Sequence, residues 1–234
     1  MILCIETATS VCSVALCDRN GVVAMKESEE GRSHASLLTV FIEDLLKSSG
    51  IGTGDLEAIA VSKGPGSYTG LRIGVSVAKG IAYASNIPLI GVETTLSMFH
   101  GFAEQAKKSY GIESSDLFCP AVDARRMEVY YSVFDITGKT VKGIRAEIID
   151  PESFSDLPLS SRIFLFGDGA AKCKEVIRQK NVIFDDNFRI SASSMYIPAY
   201  EAFDKKHIED VAYFEPFYLK DFLTSKPVKN IPGK

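Results

Sequence analysis

A glycine-rich loop is the most chemically specific feature of the sequence, and it reads Gly64-Pro65-Gly66-Ser67-Tyr68-Thr69-Gly70. It follows the apolar run 59–61, which predicts a buried parallel strand, and it precedes the helical pattern 71–85. Backbone N–H groups at such a strand-to-helix turn can hold a phosphate. The loop lacks the Gly-Lys-Ser/Thr ending of a Walker A motif, and its third glycine misses the dinucleotide pattern by one residue. It therefore predicts either an anion site or a tight turn with Thr69 near the helix N-cap.

Acidic residues occur at three turns that could together receive a nucleotide. Glu6 closes the first predicted strand ahead of a tight turn rich in hydroxyl groups, an arrangement that can cradle a phosphate and place an acid near its metal ion. A matching hairpin, 123–126, opens the second half, and the turn 167–169 opens a later helix. These places predict a remnant nucleotide site made of Glu6, Thr7, Thr9, Ser10, Asp123, Gly167, Asp168 and Gly169.

The local chemistry of these turns argues against turnover of a nucleotide. Neither hairpin contains a glycine that would admit a phosphate, and Arg125 and Arg126 are bulky. An equally open interpretation is that the acids only tie the turns together.

Other catalytic patterns are weak or missing. The three histidines, His34, His100 and His207, have neither HxxxH nor HExxH spacing, so no zinc site is predicted. The run Gly74-Val75-Ser76-Val77-Ala78 has the form of a nucleophile elbow, but Ser76 lies inside a predicted helix rather than at a strand-to-helix turn. We therefore predict no catalytic residue, no metal and no cofactor.

A stripe of small residues runs along the helix after the glycine loop. Gly70, Gly74, Ala78 and Ala82 recur every four residues, so they share one face. A glycine inside a helix costs about 1 kcal/mol relative to alanine, so Gly74 needs a compensating close contact. That contact is either the protein's own sheet or a helix of a partner chain. The long apolar face of segment 33–47 favours the partner.

Composition limits the class of protein. The chain has 234 residues, 46% of them hydrophobic and 24% charged, with a net charge of −4, which excludes disordered and collagen-like classes. A mildly acidic chain without basic runs is a poor candidate for binding nucleic acid by charge alone. No apolar run approaches the roughly 20 residues that span a bilayer. Five cysteines without a CxxC pair favour a reduced, cytoplasmic protein.

The periodicity predicts an α/β fold in which one pattern of elements occurs twice. Each half opens with three antiparallel strands and continues with alternating strands and helices, which implies mixed sheets covered by helices. The predicted strands are 2–7, 11–17, 22–25, 59–61, 88–92, 118–122, 128–134, 140–149, 162–166 and 181–184. The predicted helices are 33–47, 71–85, 96–107, 169–178 and 191–203. We predict an N-terminal lobe at 1–108, a C-terminal lobe at 117–221 and a tail at 222–234.

Several motifs together resemble the TsaB (YeaZ-like) family of tRNA threonylcarbamoyladenosine biosynthesis proteins. They read CIETATSVCSVAL, SHASLL, GPGSYTGLRIGVSVAKGIA, VDARRMEVYY and PFYLKD, and they run from the first strand to about Asp221. The resemblance implies a two-lobed actin-like, Hsp70-type ATPase fold with a duplicated, ribonuclease H-like mixed sheet. It also implies a role in forming threonylcarbamoyladenosine at position 37 of tRNA.

The resemblance further implies a subunit without a metal site. The catalytic paralogue TsaD carries an HxxxH metal pair just after a strand that ends in Gly-Val. Here Gly91-Val92 is followed by Thr94 and Met98 at the corresponding positions. Neither side chain replaces an imidazole as a ligand for iron or zinc.

The role implied by the resemblance is that of a non-catalytic scaffold. Helices 33–47 and 71–85 would pair with a TsaD-like paralogue, a TsaE-like ATPase would join them, and tRNA would be reached through the complex. The chain would form a homodimer when alone, and no membrane is involved. The expected interface residues are His34, Leu38, Phe41, Leu45, Gly70, Leu71, Gly74, Val75, Ala78 and Ala82.

Two enzymatic alternatives remain beside the scaffold. An ATP-dependent kinase or ATPase of the same fold would need Glu6, Asp123 and Asp168 to converge on magnesium and nucleotide. A metal-dependent peptidase is the second alternative, and the missing histidine pair argues against it.

Overall fold

The computed structural model describes residues 1–29 and 34–220. Within these residues it contains ten strands, five α-helices and two short 3₁₀ turns. The strands are β1 (Ile2–Glu6), β2 (Cys12–Asp18), β3 (Gly21–Ser28), β4 (Ala58–Gly64), β5 (Leu89–Glu93), β6 (Leu117–Asp123), β7 (Glu128–Asp135), β8 (Thr140–Ile148), β9 (Ile163–Phe166) and β10 (Val182–Asp185). The helices are α1 (His34–Ser48), α2 (Tyr68–Ser85), α3 (Thr94–Ser109), α4 (Ala170–Lys174) and α5 (Tyr196–Asp204), and the 3₁₀ turns are Thr53–Asp55 and Ala192–Met195.

The strands form two five-stranded sheets with the same internal order. The first sheet runs β3-β2-β1-β4-β5. Read from its corresponding edge, the second sheet runs β8-β7-β6-β9-β10. The central strand β1 pairs antiparallel with β2 and parallel with β4. Its counterpart β6 pairs antiparallel with β7 and parallel with β9. The predicted duplicated α/β fold with mixed sheets is therefore confirmed.

The central strand of the first sheet is buried on both faces. All five residues of β1 are buried, and alternate residues enter different cores. Leu3 and Ile5 pack with α1 and α2, whereas Ile2 and Cys4 pack with the second 3₁₀ turn and α5. The edge strand β3 instead alternates partly buried and exposed residues.

Two helices each pack against the sheet of the other half. Helix α3 follows the first sheet in the chain, but its Phe99 and Phe102 pack against Phe118 and Phe164 of the second sheet. Helix α5 follows the second sheet, but its Ala199 and Tyr200 pack on the first. Each half therefore contributes to the core of the other, and the lobe boundaries at 108 and 117 remain a prediction.

Two helices are shorter than predicted. The pattern 169–178 yields only the five residues of α4, and 191–203 begins as a 3₁₀ turn before α5. Apolar periodicity is equally well satisfied by turns over such short spans. Ser33, the predicted start of α1, and the predicted tail 222–234 lie outside the described residues.

Across residues 1–29 and 34–220, no helix is long and apolar enough to cross a bilayer. The five cysteines are free thiols, and every one of them is buried.

Candidate functional site

The glycine-rich loop forms a capped turn between β4 and α2. Ser67 is the N-cap of α2, and its hydroxyl oxygen accepts a hydrogen bond from the Gly70 N–H at 3.3 Å. The Ser67 N–H donates to the Ala8 carbonyl at 2.6 Å. Two of the donors that would face a phosphate are thus used inside the protein. Thr69 follows this cap by two residues, so it lies near the N-cap, as the sequence indicates.

The small stripe of α2 lies against the turn that follows β1. A Cβ atom added at Gly70 would lie 2.1 Å from the Thr7 carbonyl oxygen, and one added at Gly74 would lie 2.2 Å from Thr7 Oγ1. No side chain fits at Gly70 without moving the backbone of the turn, and none fits at Gly74 without moving the Thr7 side chain. The close contact that the glycines require is therefore made within the chain.

The structure places the residues of the expected interface as follows, and the interface itself stays a prediction. Eight of the ten predicted contact residues are buried in the protein's own core, and the six of them that carry a side chain expose at most 3% of their surface. These residues are Leu38, Leu45, Gly70, Leu71, Gly74, Val75, Ala78 and Ala82. His34 is also buried, and its Nε2 donates to the Val11 carbonyl at 3.1 Å. Phe41 is partly exposed. The pairing of α1 and α2 with a partner remains a prediction.

An apolar groove between α1 and α2 is left open on the surface. Ile42 and Leu46 of α1 face Val77 and Ile81 of α2, with Gly80 at the rim. The groove encloses about 640 Å³. Its other lining residues are Thr39, Glu43, Lys47, Ile51, Gly52 and Thr53. The sequence pattern placed the apolar faces on the right helices but could not separate the groove from the core beneath it.

The predicted remnant nucleotide site forms a cleft where the β1–β2 and β6–β7 turns meet. Thr9, Ser10, Asp123 and Asp168 line this hairpin cleft, which encloses about 560 Å³. Glu6 and Thr7 do not line it, because both are fully buried. The structure thus brings four of the eight predicted residues to one cleft.

Glu6 supports the turn from below the cleft. Its Oε1 accepts a hydrogen bond from the Ala8 N–H at 2.7 Å, and its Oε2 accepts one from the Ser62 hydroxyl. Burial raises the pKa of Glu6 to about 7, against the opposing effect of these hydrogen bonds. A buried carboxyl whose oxygens are both engaged by the protein is poorly placed to bind a magnesium ion in the cleft.

The two acids of the cleft are tied to the chain in different ways. The Asp123 N–H donates to Asp168 Oδ1 at 3.0 Å, and burial raises the pKa of Asp168. The Asp123 carboxylate forms an ion pair with Lys172 and accepts a hydrogen bond from the Arg125 N–H at 2.7 Å. Within the described residues, no group of three or more His, Cys, Asp or Glu side chains is arranged to hold a metal ion.

Gly167 and Gly169 serve packing rather than ligand access. Gly167 has a φ of +102°, and an added Cβ would lie 2.5 Å from the Ala121 carbonyl and 2.3 Å from Met98 Cε. A Cβ on Gly169 would lie 3.0 Å from the Val122 carbonyl carbon. Both glycines let the turn after β9 approach β6 closely.

Thr94 and Met98, which the resemblance sets against a histidine pair, are part of the core. Thr94 is fully buried, and Met98 is 1% exposed and belongs to the cluster of α3 with the second sheet. A hydroxyl group and a thioether in an apolar setting are a poor donor set for iron or zinc, so these residues do not fit such a metal.

A segment after α5 connects elements that the sequence patterns treat separately. Phe214 enters the core of the first sheet, and the Phe217 N–H donates to the Lys63 carbonyl at 2.6 Å. Lys79 of α2 donates to the carbonyls of Ala212 and Phe214. This segment has no regular periodicity; its aromatic residues are the only signal that could have revealed its packing.

Comparison with known proteins places this architecture. The family model "TsaD: tRNA N6-adenosine threonylcarbamoyltransferase" matches residues 21–224. The chain is similar to the tRNA threonylcarbamoyladenosine biosynthesis proteins TsaB of Haemophilus influenzae, at 27% identity over 100% of this chain and 98% of the other, and of Escherichia coli, at 29% over 100% and 99%.

A solved structure agrees with these sequence matches. It is a Pseudomonas aeruginosa protein described as uncharacterized with similarity to peptidase YeaZ; its TM-score is 0.78 at 26% identity, with 94% of this chain and 99% of that chain covered. The similarity to TsaB that the motifs indicate is confirmed. The chain belongs to the family that the TsaD model describes, and within that family it resembles the TsaB proteins over its whole length.

Proposed function

We propose that the chain takes part in tRNA threonylcarbamoyladenosine biosynthesis as a scaffold subunit without a catalytic centre of its own, paired as a heterodimer with a TsaD-like catalytic paralogue. The names of its full-length relatives support the pathway. The match to a TsaD family model supports a shared origin with the catalytic subunit. A TsaE-like ATPase, tRNA bound through the complex, and a cytoplasmic location belong to the same proposal.

The apolar groove between α1 and α2 carries the proposal. Ile42, Leu46, Val77 and Ile81 form its apolar lining, and Val40 on the outer side of α1 is 47% exposed. Ile42 and Leu46 are only 4% and 6% exposed, so a partner that covers the groove would gain mainly from the partly buried Val77 and Ile81. A helix pair of a related fold would present a second ridge of apolar residues to this groove.

Gly80→Arg tests the groove without disturbing the core. A Cβ at Gly80 meets no atom within 4 Å, so the variant should fold at least as stably as the parent. The added side chain would place a charge and extra volume in the apolar contact, and we expect affinity for the cognate TsaD-like paralogue to fall about 100-fold or more. Calorimetric titration of the two purified proteins measures the change.

Gly143→Arg is the matched control, because Gly143 is exposed on β8 and also has no atom within 4 Å of an added Cβ. It should bind like the parent.

Reconstituted tRNA modification should require the chain and should fail with Gly80→Arg but not with Gly143→Arg. Modification that proceeds equally without the chain would reject the scaffold role, and unchanged binding by Gly80→Arg would reject the groove. Turnover of Mg-ATP by the isolated chain would favour the ATPase alternative.

A further inference from the structure

A second cleft combines three tyrosines with three cations. It lies where the glycine-rich loop, the β6–β7 turn and the segment 217–220 meet, and it encloses about 350 Å³. It shares Ser67, Asp123 and Arg125 with the hairpin cleft. The residues that define this tyrosine cleft are Tyr68, Tyr130, Tyr218, Arg125, Arg126 and Lys220.

Two of the rings are held together at the wall of the cleft. The ring centroids of Tyr68 and Tyr218 are 4.7 Å apart. The Arg72 guanidinium lies 4.1 Å from the Tyr68 centroid, and its Nε donates to the Tyr218 hydroxyl at 3.1 Å. The hydrogen bond from Phe217 to Lys63 fixes the backbone next to Tyr218. The rings therefore form a positioned aromatic surface, which planar heteroaromatic groups stack on.

The charges of the cleft leave a local positive excess. Asp123 is paired with Lys172, and Glu128 is paired with Lys220. Within the described part of the chain, neither Arg125 nor Arg126 makes an ion pair or a side-chain hydrogen bond. Two guanidinium groups thus remain available in a protein whose net charge is −4. Guanidinium groups are well matched to phosphate oxygens.

The backbone of the turn presents both arginines in an uncommon conformation. Arg125 has a φ of +67° and Arg126 a φ of +49°, in the left-handed region that glycine or asparagine adopts more readily. The turn is closed by hydrogen bonds from the Arg125 N–H to Asp123 and from the Glu128 N–H to the Arg125 carbonyl. Two adjacent cations therefore line the same cleft as the aromatic rings.

We propose that the tyrosine cleft binds a nucleoside phosphate, with the base stacked on the tyrosines and the phosphate held by Arg125 and Arg126. The same chemistry is offered by a free mononucleotide and by a single-stranded RNA segment. The inference does not depend on the heterodimer, because every residue of the cleft belongs to this chain.

Binding of a fluorescent eight-residue oligoadenylate to the full chain, followed by anisotropy, tests the proposal. Tyr218→Ala should weaken binding about 5- to 100-fold, the range typical of one lost stacking contact. The matched control is Tyr213→Ala, since Tyr213 lies on the same segment with 83% of its surface exposed and does not line the cleft. It should bind like the parent.

The double variant Arg125→Gln/Arg126→Gln tests the phosphate contacts separately. The slope of log affinity against log salt concentration should become shallower by about 1.4, which is the loss of two phosphate contacts on a single strand. Arg178→Gln/Lys180→Gln, an exposed pair outside the cleft, removes the same charge and should leave the slope unchanged.

Competitors identify the source of the ligand. AMP and oligonucleotides are compared as competitors at equal concentrations of nucleotide. Displacement by AMP would assign the cleft to a mononucleotide, and displacement only by longer oligonucleotides would assign it to RNA. Both results support the shared chemistry. Equal displacement by an abasic oligonucleotide or by polyglutamate would overturn the proposal. So would equal binding by the cleft variants and their controls.

Discussion

The two halves of the molecule have one strand order but different outer coverings. The face of the first sheet that carries Leu3 and Ile5 is covered by two helices, α1 with 15 residues and α2 with 18. The equivalent side of the second sheet is covered by α4, with five residues, and by turns that include Phe154 and Leu157. Both coverings close a core, but within residues 1–29 and 34–220 only the first half presents two long adjacent helices. The proposed contact with a partner would use this difference, because it needs two long helices side by side.

The halves also differ at one equivalent turn. Glu6 ends β1 and Asp123 ends β6, which are the corresponding strands of the two sheets. Glu6 is fully buried, whereas the Asp123 side chain is 47% exposed and paired with Lys172. One acid is thus a structural group below the cleft, and the other faces solvent.

The contact between the halves should be the most sensitive part of the structure. Phe102 of α3 is fully buried, and its ring stacks on Phe166 of the second sheet with centroids 3.9 Å apart. Phe102→Ala should lower the free energy of unfolding by about 3–5 kcal/mol, as large cavities do. A drop in melting temperature of about 10 °C would accompany it. Tyr83→Ala, at a side chain 82% exposed, should stay within about 0.5 kcal/mol. A small effect at Phe102 would show that the halves are held together elsewhere.

The packing of α3 on the second sheet shows which part of the fold can be predicted from the sequence. Period-two and period-3.6 patterns located every sheet strand within a few residues, and the repetition of the pattern predicted the duplicated fold. The same patterns could not assign α3 to the second sheet or α5 to the first. An apolar face on α3 is satisfied by either sheet, and only the aromatic contacts of Phe102 and Phe99 decide between them.

The buried acid should give the first half a pH dependence. The pKa of Glu6 is raised in the folded protein from an ordinary 4.5 to about 7, so the folded state holds its proton while the unfolded state releases it. The free energy of unfolding should therefore be highest below pH 4.5 and fall by about 3 kcal/mol as the pH rises to 7. Glu6→Gln should match the parent at pH 4 and be more stable above pH 7. Urea unfolding of both proteins from pH 4 to pH 8 measures the difference.

Asp123→Asn is the counterpart in the second half. It removes one surface ion pair and should change stability by less than about 1 kcal/mol. The raised pKa of Asp168 also makes the free energy of unfolding fall as the pH rises. Asp168 is present in the parent and in both variants, so its effect largely cancels when they are compared. If Glu6→Gln leaves the pH dependence unchanged, the carboxyl is not protonated in the folded state.

The site was less predictable than the fold. The spacing of Gly70 and Gly74 correctly indicated a close contact, and Thr9, Ser10, Asp123 and Asp168 do meet at one cleft. Spacing alone could not decide whether a smooth stripe faces its own chain or another, because both require the same small residues. The tyrosine cleft was not predicted, since Tyr68 and Tyr218 are 150 positions apart and meet only through the segment after α5.

The stripe itself offers the finest test of how the first half is built. Gly70→Ala would force a Cβ against the Thr7 carbonyl and should cost about 1–3 kcal/mol of unfolding free energy. Gly80→Ala, on the same helix with no atom within 4 Å of the added Cβ, should instead gain about 0.5–1 kcal/mol. Opposite signs from one substitution on one helix, measured by urea unfolding, would show that the stripe faces the protein's own turn. Equal signs would contradict the close contact between Gly70 and the Thr7 carbonyl, because an alanine that meets no obstacle in a helix is expected to stabilise it.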